Sequence, residues 1–316
     1  IFPLVAEAVT GEKISVGPPF FEKVNFPIGL VLLALAGVGP VIAWRRATKR
    51  NLRRNFTIPM AVSLAVGVGL WVTGARHPLA LVTWSICAFV LTVIGIEFWK
   101  GTRARARIEG EGYALALVHL VARNRRRWGG YIVHVAMVMI YFGFAGAAYN
   151  VDERFHVLPG DVVEVVSPFG HTYSLTYEGL TVSLGKGDRN LIWQAMAAVS
   201  VQQDGKQRPL MTTEKRMYVT GDIPMTEVGI RSSIREDLYL ILSALDDMEG
   251  AVNADSNAQG IDLQVLIKPL VGWIWFGGLM LAIGTVVALW PSVDRRRVAL
   301  EEETRSAPEP AMAAAG

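Results

Sequence analysis

The stretch "WGGYIVHVAMVMIYFGFAGAAYN", residues 128–150, decides the class of fold. From Tyr131 to Ala148 it holds no charged residue, and His134 is the one side chain there that titrates near neutral pH. A run of this length can cross the roughly 30 Å hydrocarbon core of a bilayer as a helix. An ionisable group inside such a run is costly without a partner, so His134 is a functional-site candidate.

Working outward, four more apolar runs lie at Phe26–Trp44, Ile58–Val72, Pro78–Trp99 and Leu270–Trp290, with the run around His134 spanning Tyr131–Tyr149. The composition agrees: 52% of the 316 residues are hydrophobic, and the mean hydropathy is +0.34. These values predict a polytopic α-helical membrane protein of about five spans. The connecting segments predict its orientation. "RRATKRNLRRN" (45–55) holds six Lys/Arg and no acid, residues 100–130 hold eight Lys/Arg against two Glu, and "DRRR" follows the last run. Basic segments stay on the cytoplasmic side, so the chain is expected to run from an external N-terminus to a cytoplasmic C-terminus. The basic charge flanks spans, which points to lipid headgroups and away from nucleic acid. Trp44, Trp71, Trp99 and Trp290 stand near span ends, where interfacial anchors belong.

Residues 150–269 differ in character, with acids outnumbering bases 17 to 10. Apolar and polar residues alternate in "HTYSLTYEG" (171–179) and "IDLQVLIK" (261–268), the period of half-buried strands. Asp204–Gly205 reads as a hairpin turn, and "SIREDLYLILSALDD" (233–247) fits helix or strand by period alone and reads as strand from Tyr239, Ile241 and the neighbouring Leu residues. The expectation is an external, periplasmic antiparallel β domain, barrel or sandwich, between the last two spans. The organisation is therefore 1–25, an external segment; 26–149, four spans with basic cytoplasmic loops; 150–269, the β-rich domain; 270–290, the fifth span; and 291–316, a cytoplasmic tail whose composition predicts disorder.

The chemistry-bearing residues are few. The single cysteine, Cys87, excludes an internal disulfide, a C-x-x-C dithiol and a C-x-x-C-H haem attachment site. There is no phosphate loop, no H-E-x-x-H and no arrangement of Ser, His and Asp that suggests a triad. His134 has two readings: a histidine that hydrogen-bonds a neighbouring helix, or an axial haem ligand, since an apolar surround suits the uncharged, ligand-competent ring. Four flanking glycines, Gly129, Gly130, Gly143 and Gly146, leave room for a flat macrocycle or for a close helix. His77 belongs to the opposite side of the membrane, ~25–30 Å away, and cannot share an iron with His134. "YALALVHLVARNRRR" (113–127) reads as an amphipathic surface helix with Leu115, Val118 and Leu120 toward lipid and His119 solvated. His156 and His171 fall to the β domain. On architecture alone, a transporter or permease subunit or an assembly scaffold without a redox role fits equally.

Four stretches carry a resemblance: "FPLVAEAVTGEKISVGPPFF" (2–21), "GGYIVHVAMVMIYFGFAG" (129–146), "PMTEVGIRSSIREDLYLIL" (224–242) and "KPLVGWIWFGGLMLAIG" (268–284). In this order they resemble the C-terminal half of the CcmF family, the membrane subunit of the bacterial cytochrome c haem lyase. The resemblance implies a protein of the bacterial inner membrane that holds a non-covalent haem b. It also implies receipt of haem from a periplasmic haem chaperone, attachment to apocytochrome c, and thiol-handling maturation subunits as partners. The family's G-G-Y-I-V-H histidine, an axial ligand of the b haem, carries over to His134 and to no other residue; no catalytic residue carries over. The family's tryptophan-rich haem-handling motif, the histidines flanking it and the other b-haem histidine are absent. That absence, with the opening "IFPLVAEAVTG" lacking an initiator Met, leads us to expect a fragment or a split subunit that completes the holocytochrome c synthetase reaction only with its N-terminal half.

Overall fold

The computed structural model describes residues 7–9, 11, 20–39, 49–185, 190–221, 223–246 and 259–291. Six helices and nine strands organise the chain from Phe26 onward among them: α1 (Phe26–Val38), α2 (Lys49–Val72), α3 (Pro78–Glu109), α4 (Tyr113–Arg123), α5 (Arg125–Gly146), then β1 to β9, and α6 (Gly272–Leu289). Among the described residues, four segments are long and apolar enough to cross a membrane: Asn55–Val72, Pro78–Glu109, Arg125–Tyr149 and Gly272–Leu289. The first expected span is only partly seen. α1 has 13 residues, short of the roughly 20 that a span needs, and Trp44 lies outside the described residues. So do most of 1–25, most of the 248–260 loop and all of 292–316.

Local chemistry sets the helix ends. Pro78 opens α3 with the φ a first helical turn requires, and Gly110, at φ 68, closes it in the left-handed conformation. α3 thus runs ten residues beyond Trp99, because nothing between Lys100 and Glu109 breaks a helix. Asn124 caps α5 by accepting the Arg127 N–H at 3.3 Å. Leu33, Phe89, Val90, Val93, Trp128 and Val138 are among the buried side chains that join α1, α3 and α5. α6 lies antiparallel along α5, with Gly129 against Ala288 at one end and Gly146 against Pro269 at the other. Small residues here let two backbones approach where lipid offers no hydrophobic drive to associate.

The β region is a sandwich. Its strands are β1 (Val151–Val157), β2 (Val162–Val166), β3 (Thr172–Leu184), β4 (Leu191–Gln203), β5 (Lys206–Tyr218), β6 (Met225–Glu227), β7 (Gly229–Arg231), β8 (Glu236–Leu245) and β9 (Ile261–Pro269). One sheet has the order β1-β9-β8-β7 and the other β2-β3-β4-β5-β6, and every pairing is antiparallel. Period-two alternation places Leu175 and Tyr177 of β3 (Thr172–Leu184), Leu238, Leu240 and Leu242 of β8 (Glu236–Leu245), and Leu263, Val265 and Ile267 of β9 (Ile261–Pro269) in one core. Each such side chain contributes about 1.5–3 kcal/mol when fully buried. Asp204 and Gly205, at φ 51 and 73, form the two-residue turn between β4 (Leu191–Gln203) and β5 (Lys206–Tyr218). Thr213 ties the two sheets together: its hydroxyl donates to the Glu227 carbonyl at 3.0 Å and accepts the Leu242 N–H at 3.0 Å. β1 (Val151–Val157) follows α5 through one 3₁₀ turn and pairs with β9, which runs into α6.

Candidate functional site

His134 stands in the first half of α5, seven residues after Arg127, about 10 Å along the axis. Its Nδ1 lies 2.6 Å from the Gly130 carbonyl oxygen. A carbonyl only accepts, so Nδ1 carries the proton and donates, and in the neutral ring Nε2 is left as a lone pair. This is the arrangement in which a metal-ligating imidazole has its tautomer and ring plane set by the nitrogen that does not bind metal. The side chain is half-buried. With Gly130, Met137 and Tyr141 it forms a stripe at helical spacing, a different face from the one turned to α6.

The flanking glycines separate into two groups. A Cβ on Gly129 would stand 2.6 Å from the Ala288 nitrogen, one on Gly143 3.0 Å from the Leu270 carbonyl, and one on Gly146 2.3 Å from the Pro269 carbonyl. Those three serve the close approach of α6. A Cβ on Gly130 meets nothing within 4 Å, so the open space lies beside the residue that orients His134. The sequence left macrocycle and close helix as alternatives; three glycines take the second and only Gly130 remains available for the first. An imidazole oriented in this way, beside open space, has the chemistry to ligate one face of a planar metal-bearing group. Among the described residues no group of three or more His, Cys, Asp or Glu side chains could hold a metal ion.

The other histidines are placed away from it. The His77 backbone N–H donates to the Tyr149 hydroxyl at 3.2 Å, fifteen residues along from His134 and roughly 22 Å away at 1.5 Å per residue. His119 is not simply solvated: its Nδ1 is 2.9 Å from Glu111, which Arg105 also grips at 3.2 Å. The Arg105 hydrogen bonds, followed by that of His119, hold the Glu111 carboxyl below its ordinary range. Leu120 corrects a second expectation, because it packs inward against the bundle, while Leu115 and Val118 are exposed. In the sandwich, His156 bonds Asp262 at 3.0 Å, with Asp246 at 3.6 Å. The Asp262 hydrogen bond and the Asp246 charge raise its pKa. His171 bonds Asp204 at 2.7 Å.

One feature gave no signal in the sequence. A cavity of about 680 Å³ lies where the bundle meets the sandwich, lined by Leu70, Trp84, Phe142 and Tyr149 from the helices and by Pro168 and Phe169 from the loop after β2 (Val162–Val166). Trp84 stacks on Tyr149 with centroids 5.8 Å apart and planes 7° from parallel. These residues are far apart in the chain, and no local period connects them.

Comparison with known proteins follows the same division of the chain. Residues 148–269 match the family model described as the CcmF C-terminal beta-sandwich. The cytochrome c-type biogenesis protein CcmF of Pseudomonas aeruginosa is 28% identical over 311 residues, covering 97% of this chain and 42% of that protein. The CcmF of Escherichia coli is 27% identical over 313 residues, covering 98% of this chain and 42% of its own length. A solved structure titled cytochrome c heme lyase CcmF superposes with a TM-score of 0.68 at 22% identity, over 92% of this chain and 42% of that one. The resemblance read from the four stretches is borne out: this chain is similar, over nearly its whole length, to the C-terminal part of CcmF, and it spans about two-fifths of the relatives it matches.

Proposed function

We propose that this chain, as the C-terminal part of a CcmF-type cytochrome c biogenesis protein, supplies His134 as one axial ligand of a non-covalent b-type haem in a bacterial inner membrane. The observation that carries this reading is the geometry of the ring: Nδ1 is committed to the Gly130 carbonyl, which leaves Nε2 as the nitrogen that could ligate, and Gly130 one turn away leaves open space. Haem bound there would supply a one-electron couple. His134 would hold the iron from one side, and the Gly130 carbonyl would keep the imidazole from rotating. α5 and α6, locked together through their glycines, would keep the ligand in position. Tight supporting geometry of this kind is what functional sites need. The second axial ligand and the external haem-handling groups are assigned to the N-terminal part of the longer protein or to a split subunit.

The sandwich would face the periplasm and the α3–α5 connection, rich in arginine, the cytoplasm. The two lie at opposite ends of the bundle, which supports an external N-terminus and a cytoplasmic C-terminus for this chain. At the periplasmic face the sandwich would help dock the haem chaperone, the thiol-handling subunits and apocytochrome c, the haem acceptor. The surplus of acids in 150–269, 17 against 10, suits basic partners.

The test is a reduced-minus-oxidised optical spectrum of the purified protein, expressed together with its N-terminal half, for wild type and His134→Ala. A b-type signal present in wild type and lost in the variant is the expected result. An unchanged signal in His134→Ala would return His134 to helix packing. No haem in either protein would favour a permease subunit or a scaffold.

A further inference from the structure

α4 and α6 leave an open groove between them at the end of the bundle away from the sandwich. It has a volume of about 640 Å³ and its lining includes Val118, Val121, Ala122, Val286 and Trp290, with Arg125 as its one charged residue. Val118, Val286 and Trp290 are more than half exposed. An apolar trough of this size open to the surroundings needs an occupant. Charge decides which kind. The Arg125 guanidinium donates to the Pro291 carbonyl at 3.2 Å, which places a cation at the groove's mouth without neutralising it. Arg123 and Arg126, on either side of the corner between α4 and α5, are exposed, and no carboxylate among the described residues pairs with either. Of the described acids on this side, Glu97 pairs with Lys100 and Arg127, Glu111 with Arg105 and His119, and Glu109 ends α3 before the start of α4, the end away from Arg125. Trp290 adds an aromatic ring of the kind that settles at headgroup depth.

We infer that the groove between α4 and α6 is a binding site for an anionic phospholipid, with an acyl chain against Val118, Val121 and Val286 and the phosphate at Arg125 and Arg126. A zwitterionic lipid fills the same trough but gains less from three cations with no acid among them. The docked lipid fixes α4 in the plane of the interface and fastens it to the end of α6. The inference rests on the membrane placement given above and is independent of the haem reading. A protein recovered without detergent would sink that placement itself, whereas the outcomes below bear on the groove alone.

The experiment is native mass spectrometry of the full-length protein in detergent, titrated with phosphatidylglycerol or with phosphatidylcholine of the same chains. Wild type is expected to retain phosphatidylglycerol at several-fold lower lipid concentration. Arg125→Gln with Arg126→Gln should weaken that retention about 30-fold, about 5-fold per arginine, from roughly 1 kcal/mol for each basic residue near an anionic surface. Arg126→Gln alone keeps the Pro291 bond, controls for folding, and should show one such step. Ala122→Trp, which fills the trough without changing charge, should weaken both lipids. Equal retention of the two lipids, or retention indifferent to the arginine and Ala122 variants, would overturn the proposal. So would equal competition by free glycerol phosphate, which would mean an ion site with no chain, or no lipid in wild type, which would mean that protein covers the groove.

Discussion

Two adjacent glycines on α6 predict opposite outcomes for the same substitution. A Cβ on Gly277 would stand 2.7 Å from the Ile140 Cγ1, 2.9 Å from the Ala136 carbonyl oxygen and 3.0 Å from the Ile140 nitrogen, whereas one on Gly278 meets nothing within 4 Å. Side-chain rotation can relieve only the first contact, because the other two are to the backbone of α5. Restoring ordinary separations of about 3.5–4.0 Å requires α5 and α6 to move apart by several tenths of an ångström to ~1 Å. Overpacking of this kind costs about 1–3 kcal/mol. Both changes also gain helix propensity, up to about 1 kcal/mol for Gly to Ala. That gain cancels between neighbours, so Gly277→Ala is expected to be less stable than Gly278→Ala by about 1–3 kcal/mol. Reversible unfolding in mixed detergent, followed by helical circular dichroism, measures the difference directly. The same contrast is expected between Gly129→Ala and Gly130→Ala, since only Gly129 faces Ala288. Equal stabilities within each pair would refute the reading of α5 and α6 as a glycine-mediated contact.

Other expectations concern the sandwich. Leu240→Ala removes a fully buried side chain from the core and should lower stability by about 2–5 kcal/mol, read from thermal melting of the β signal. His156 has its pKa raised by Asp262 and Asp246. Its contribution is therefore complete below the unfolded value of about 6.5 and lost as pH rises through the higher folded value. The stability gap between wild type and His156→Asn should shrink over that window, and a gap that widens with pH would contradict the pairing. Asp204 has its carboxyl lowered by the Thr172 N–H first and by His171 second. Asp204→Asn should keep the turn while making the hairpin less sensitive to acid, as a melting series from neutral to low pH would show.

Much of this architecture was legible in the sequence. The apolar runs at 58–72, 78–99, 131–149 and 270–290 became helices because lipid-length hydrophobicity is a local property. The strands at 171–179, 233–247 and 261–268 were legible by alternation or by residue type, and the 204–205 turn by its residues. What stayed hidden depends on which face meets which neighbour. A helix apolar on all sides carries no stripe to say that Gly129, Gly143 and Gly146 face α6 while Gly130 and His134 do not. Leu120 read as lipid-facing because a one-dimensional period shows that a helix has an apolar face, without showing what covers it. His119 meets Glu111 eight residues away across the extended Gly112 that precedes α4, a separation that no helical period marks. His134 was legible as a candidate; its hydrogen bond to Gly130 and the open space beside that glycine required coordinates.

The pairing of β1 with β9 has one more consequence. Val151 and Ile267 face each other across the ladder, about 5 Å apart, directly above the ends of α5 and α6. The sandwich therefore enters and leaves the chain at practically one point, like a module spliced into a helical hairpin. Its removal and replacement by a short turn should leave the hairpin able to close. Any pull on the sandwich reaches both helices together, as a bending of the pair, because two paired strands cannot swivel as a single tether would.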